Sequence, residues 1–228
     1  MSTYQRTSRR PIADAFRATA RTAVRLCVRW GVHPDAVSYG SVVASALAGV
    51  CFWQSQHWPA LLVLAVFLCF VRLWLNMLDG MVALASGKAS LRGEILNDLP
   101  DRISDVLIFV GAGYSGYCHV IGGYWTAIFA LLVAYVGTFG QAVGVQREFS
   151  GVMAKPWRMV ALAIGSLLTL GLVWAGRPFA WQELTILDWT FLLIIVGCVQ
   201  SIYIRLARIL RALEQKRGGT GTPPTHSS

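Results

Sequence analysis

The sequence predicts an all-α integral membrane protein of six transmembrane helices, preceded by an amphipathic juxtamembrane helix, and three observations carry that prediction. Of 228 residues, 55% are hydrophobic and 14% charged, against about 25% charged in an ordinary soluble domain. Six stretches, at about 36–54, 59–79, 103–120, 123–145, 158–176 and 188–205, approach the length that spans a bilayer, roughly 20 apolar residues. Between them, Lys and Arg fall almost entirely on one side, as the positive-inside rule demands.

The elements follow in order. Arg17, Arg21, Arg25 and Arg29 recur every fourth residue among Phe16, Ala20, Val24, Leu26 and Val28, which fits a helix lying on anionic headgroups or a simple topology anchor. Residues 1–35 lack an apolar core followed by a cleavage site, so this Arg-rich segment is expected to stay in the cytoplasm. His33-Pro34-Asp35 breaks that helix and opens the first span. Runs such as Ala60–Leu68 do not alternate polar with apolar, which excludes a β-barrel and leaves helices as the spanning structure. With the N-terminus inside, only Arg177 falls outside and only Arg72 lies within a span. Both termini are therefore expected in the cytoplasm of a multi-pass membrane protein. Pro100 cannot donate the backbone hydrogen bond to Leu96, so a kink or a fresh helix start is expected beside Asp101. Residues 36–213 form the membrane domain, and 214–228, with Gly218-Gly219-Thr220-Gly221-Thr222-Pro223-Pro224, read as a disordered cytoplasmic tail.

Several function classes drop out. The net charge of +9 belongs to topology, because no aromatic-basic platform for nucleic acid is visible. Cys27, Cys51, Cys69, Cys118 and Cys198 lie mostly in apolar stretches with no CxxC pair, so neither a disulfide framework nor a zinc site is expected. A transporter would carry interrupted helices with charges at the midplane; here the charges gather at the cytoplasmic end. Gly140-x-x-x-Gly144 permits close helix contact, including contact between two subunits of a homodimer.

One region exceeds what anchoring requires. Asn76, Asp79, Glu94, Asn97, Asp98, Asp101 and Asp105 gather at the ends of the second and third spans, with Arg72 one turn deeper, and ionisable groups at membrane depth point to function. At 100° per residue, Arg72, Asn76 and Asp79 share one face of their helix, as do Glu94, Asp98, Asp101 and Asp105 on the next. Two helices joined by a short loop pack antiparallel, so these faces can meet. Oxygen ligands crowded in this way suit Mg²⁺ or Mn²⁺; salt bridges to Arg72, Arg92 and Arg102 are the alternative.

The chain reads Asn76-Met77-Leu78-Asp79-Gly80-Met81-Val82-Ala83-Leu84, then, eight residues on, Gly93-Glu94-Ile95-Leu96-Asn97-Asp98-Leu99-Pro100-Asp101. This resembles the signature of the CDP-alcohol phosphatidyltransferases, in which an Asp precedes Asp-Gly, Ala-Arg follows, and Gly-x-x-x-Asp-x-x-x-Asp comes eight residues later. Every spacing is kept. Asp79, Gly80, Ala83, Gly93 and Asp101 match, whereas Asn76 and Asn97 stand where the family has Asp, and Leu84 where it has Arg. Pro34-Asp35-Ala36-Val37-Ser38 is similar to the family's Pro-Asn-x-Val-Thr opening of the first span.

The resemblance implies a CDP-alcohol phosphotransferase-like fold and a CDP-linked lipid donor, usually CDP-diacylglycerol. The acceptor it implies is a small polar or phosphorylated alcohol, with CMP as leaving group in phospholipid biosynthesis. It implies Mg²⁺ or Mn²⁺ on Asn76, Asp79, Asn97 and Asp101, Asp101 as general base, and room for the nucleotide at Gly80, Ala83 and Gly93. Asp98 or Asp105 would compensate for the missing carboxylates, and Lys88 or Arg92 for the missing arginine. Arg147, Lys155 and Arg158 fall in a loop that could hold a phosphate or serve topology alone. Asn76, Asn97 and Leu84 also admit a second class, a degenerate homologue that binds lipid or nucleotide without turnover.

Overall fold

In a computed structural model of the chain, residues 22–85, 91–145, 150–177 and 180–219 are described, with the side chains of Pro34, 91–97 and 217–219 outside that set. The described part of α1, residues 22–29, ends in a left-handed glycine. Gly31 has φ +67°, and Val32 N–H donates to Cys27 O at 2.9 Å while Gly31 N–H donates to Val28 O at 3.2 Å. This is the paired closure that a C-terminal glycine allows. Arg25 and Arg29 are exposed, whereas Val24 is buried with Val37, Leu78 and Val82. Arg17 and Arg21 lie outside the described residues.

Six long helices follow: α2 (Pro34–Gln54), α3 (Leu61–Ala85), α4 (Leu91–Gly113), α5 (Val120–Ala142), α6 (Lys155–Trp174) and α7 (Ile186–Gly219). Among the described residues, five of them, α2, α3, α5, α6 and α7, are long and apolar enough to cross a membrane. Helix α4 carries Glu94, Asp98, Asp101, Arg102 and Asp105 in its sequence. It also starts well before the expected 103, because those charges lower its hydropathy without lowering its helicity. Pro100 sits inside it, and the helix runs through without a fresh start. Helix α7, 34 residues long, extends about 50 Å at 1.5 Å per residue and outruns the hydrocarbon core. Residues 214–219, expected as disordered tail, continue that helix; 220–228 lie outside the described residues.

The helices close into a ring: α2 packs on α3 and α4, α4 on α5, α5 on α7, α7 on α6, and α6 back on α3. Helices α3 and α4, expected to meet as an antiparallel pair, touch only sparingly because α2 lies between them. Glycines permit the closest approaches. A Cβ at Gly111 would stand 2.5 Å from Gly49 Cα, and one at Gly123 would stand 2.9 Å from Gly113 Cα, so α2–α4 and α4–α5 meet backbone to backbone. Gly140-x-x-x-Gly144 is not such a stripe. Gly144 has φ +78° and closes α5, with Val145 N–H donating to Gly140 O at 2.8 Å. Gly144 thus marks a helix end. Phe52, Leu62, Phe109, Leu162 and Phe191 fill the interior, while Val43, Leu47, Phe67, Leu193 and Val196 face outward, toward lipid.

At the end away from the signature, a short hairpin pairs β1 (Ala180–Trp181) with β2 (Leu184–Thr185), a feature that the all-α expectation omitted. Gln182 and Glu183 turn it at φ 51° and 64°, as the favoured two-residue turn requires. Thr185 Oγ1 accepts from Asp188 N–H at 3.2 Å, and Asp188 Oδ2 accepts from Thr185 N–H at 3.0 Å. This reciprocal cap starts α7. Asp188 also receives His119 N–H at 2.8 Å, fixing the α4–α5 loop to α7.

Candidate active site

The polar cluster occupies the opposite end of the ring, where α3 ends and where α2 and α6 begin. It is built from charges that a membrane interior tolerates only when paired. Asp79 is 2% exposed. Its Oδ2 accepts from Ser38 Oγ of α2 at 2.7 Å and its Oδ1 from Gly80 N–H. Asn76 lies one turn earlier on α3, half-buried. Among the described residues, a Cβ at Gly80 would meet nothing within 4 Å, which leaves space beside Asp79. Ala83 is half-buried on the following turn, and Leu84 is exposed.

Asp101, 3% exposed, is engaged through both carboxylate oxygens. Arg72 Nη2 lies 3.4 Å from Oδ1 and also donates to the Asp101 carbonyl at 3.1 Å. Lys155, the first residue of α6, forms an ion pair with Oδ2. One turn along α4, Asp105 accepts from Arg72 Nη2 at 2.9 Å and from Arg158 Nη2 at 2.9 Å. Arg158 Nη1 reaches the Ala130 carbonyl of α5 at 3.3 Å. The Arg72–Asp105–Arg158 triad thus fastens α3, α4, α6 and α5 across the ring interior. On α7, Arg205 donates to Val133 O at 2.6 Å and Ser150 O at 2.8 Å.

The expectations sort accordingly. Arg72 pairs with Asp101 and Asp105. Asp98 pairs with Arg102 at 3.0 Å, and Asp105 is held by two arginines, so both carry salt bridges. Arg158 is a buried cross-link, not a topology charge. Gly93 and Asn97 lie in α4, but their side chains, with those of Arg92 and Glu94, fall outside the described residues, as do Lys88 and Arg147 entirely. The Ser38–Asp79, Lys155–Asp101 and Asp105–Arg158 contacts are the ones the sequence did not expose. Asp105, beside the apolar run Val106–Val110, gave the one usable signal, since buried charges seek partners.

Among the described residues, no three or more Asp, Glu, His or Cys side chains converge as a metal cluster. A cation here would draw on Asp79, Asp101 and the amide oxygens of Asn76 and Asn97. These are hard oxygen donors of the type Mg²⁺ and Mn²⁺ take. The donor chemistry fits such an ion on one condition, that Asp101 gives up an oxygen now held by Lys155.

The Ser38 bond allows a direct check. Ser38→Ala leaves Asp79 Oδ2 short of its buried donor, a loss of about 1–3 kcal/mol. Its kcat/KM is expected to fall about tenfold with helical content unchanged, as read by steady-state turnover alongside circular dichroism. Unaltered kinetics would remove Ser38 from the site.

No family model matches the chain. It is 25% identical over 178 residues to the phosphatidylinositol phosphate synthase of Mycobacteroides abscessus, covering 74% of this chain and 78% of the relative. The phosphatidylinositol phosphate synthase of Cutibacterium acnes is 26% identical over 215 residues, covering 90% and 93%. The fold matches solved structures of Mycobacterium tuberculosis phosphatidylinositol phosphate synthase. The form with manganese and citrate gives a TM-score of 0.68 at 22% identity over 84% of this chain and 88% of that one. The form with CDP-DAG bound gives 0.66 at 22% identity over 83% and 92%. With the signature spacing from Asp79-Gly80 to Asp101 kept, the chain is similar in sequence to phosphatidylinositol phosphate synthases and in fold to a solved one.

Proposed function

We propose that the protein transfers a phosphatidyl or related phospho-alcohol group from a CDP-linked lipid, CDP-diacylglycerol first, to a small polar alcohol with release of CMP. The observation that carries this is the arrangement at one end of the ring. Asp79 is fixed by Ser38 beside the open space at Gly80, and a second buried carboxylate, Asp101, stands on the next helix. Relatives that make phosphatidylinositol phosphate, and a solved structural neighbour that holds CDP-DAG, support the same donor. They make an inositol phosphate the first acceptor to test. The Lys and Arg bias supports cytoplasmic termini and a site that opens to the cytoplasmic face of a bacterial inner membrane.

In this reading Asp101 takes the proton of the acceptor hydroxyl, since a positioned carboxylate within hydrogen-bond reach can act as base. Arg72, locked by Asp105, fixes the orientation of that carboxylate. Asp79, Asn76, Asn97 and Asp101 would hold Mg²⁺ or Mn²⁺, which would neutralise charge developing on the transferred phosphoryl group. Gly80, Ala83 and Gly93 give the cytidine nucleotide its approach. Burial at the head of the bundle limits water access to the base.

A second reading has specific support. Asn76, Asn97 and Leu84, together with the Lys155 ammonium already on Asp101, also suit a homologue that binds CDP-lipid without turnover. CMP release from CDP-diacylglycerol across a panel of acceptor alcohols separates the two. Release with one acceptor supports transfer, and binding without release supports the second reading.

A further inference from the structure

We propose that Lys155 is the resident counter-cation of Asp101, and that a divalent cation loads the site by displacing its ammonium from the carboxylate. The proposal rests on the metal reading above and deepens it.

Among the described residues, Asp101 has two cationic partners, Arg72 and Lys155, and they are not equivalent. Arg72 is fully buried, and its Nη2 is held at 2.9 Å by Asp105, which Arg158 holds in turn at the same distance. That guanidinium is built into the ring interior and cannot leave without breaking the triad. Lys155 sits at the first position of α6, with its side chain 28% exposed, and ends in a single ammonium on a flexible four-carbon stem. It alone of the pair can swing out while the helices stay in place.

Charge makes the exchange necessary. Asn76 and Asn97 are neutral donors, so a cation gains its attraction from Asp79 and Asp101. With Lys155 in place, one of those two negative charges is already compensated. A divalent ion approaching the Oδ2 face of Asp101 meets the ammonium in the position it would take itself. Separating the two cations then relieves like-charge repulsion, and a released Lys155 is left beside whatever anionic group the site receives.

The test is Mn²⁺ titration of the purified full-length protein in detergent, read by the electron paramagnetic resonance of free Mn²⁺, so that no turnover is needed. Lys155→Gln removes the competing charge and is expected to tighten Mn²⁺ binding about tenfold, with Lys155→Arg staying near wild type. Arg102→Gln removes a neighbouring cation paired with Asp98, and is expected to change affinity much less, because that pair is partly solvated and screened. Unchanged or weaker binding by Lys155→Gln, with wild type still binding Mn²⁺, overturns the proposal and leaves the metal reading standing. Equal tightening in Arg102→Gln or in Lys155→Arg also overturns it, because direct competition at Asp101 would not be the cause. Absence of Mn²⁺ binding in every form removes the metal reading, and the proposal with it.

Discussion

Asp101→Asn is expected to lower CMP release by about 10²–10⁴-fold, the contribution typical of a positioned general base, while the protein folds and expresses normally. The amide keeps the size of the carboxylate and an oxygen that still accepts from Arg72. Arg72 itself retains Asp105 at 2.9 Å, so no buried guanidinium is stranded. Lys155, partly exposed, can turn its ammonium to water. Turnover would therefore collapse against an unchanged helical circular dichroism spectrum and an unchanged gel-filtration profile. Full activity in this variant would take the base role away from Asp101.

Asp105→Asn should act in the opposite sense, on the fold before the chemistry. Its carboxylate answers two guanidinium groups from two other helices, Arg72 at 0% and Arg158 at 2% exposure. Among the described residues, Arg72 Nε and Nη1 and Arg158 Nε find no hydrogen-bond partner; Arg72 would keep only its longer pair with Asp101 at 3.4 Å, and Arg158 pairs with no other described carboxylate. Removing one partner from a buried ionic network costs about 3–5 kcal/mol, because the remaining charges stay desolvated. The expected result is a large fall in melting temperature and in the yield of folded protein from detergent extracts. A variant that melts with wild type would show that the triad does not hold the ring together.

Much of this architecture was legible in the sequence because its cause is local. Apolar runs at bilayer length dictate helices, His33-Pro34 opens α2, and the 3.6-residue period puts Arg72, Asn76 and Asp79 on one face. The N-terminal half of α4 was misplaced for an equally local reason. Hydropathy treats Asp98, Arg102 and Asp105 as charges in water, whereas the helix neutralises each with a partner. Long-range pairing was the illegible part. Ser38 lies 41 residues from Asp79, and Arg158 lies 53 from Asp105, and no spacing rule connects such positions. Lys155 reads as one more cytoplasmic charge until the ring closure brings α6 against α3. In the same way, the spacing of Gly140 and Gly144 does not reveal that Gly144 closes α5. The true contact pair, Gly49 and Gly111, is visible only once α2 and α4 are packed.

The most direct test of the central claim is CMP release from CDP-diacylglycerol by the purified full-length protein, with Mn²⁺ or Mg²⁺ and with chelator, across inositol phosphate, glycerol phosphate, serine and inositol. An active CDP-alcohol phosphatidyltransferase gives metal-dependent CMP release with one acceptor, matched by a new phospholipid and absent in Asp101→Asn. No release with any acceptor, in protein that still binds CDP-diacylglycerol, would contradict it and leave a lipid-binding homologue.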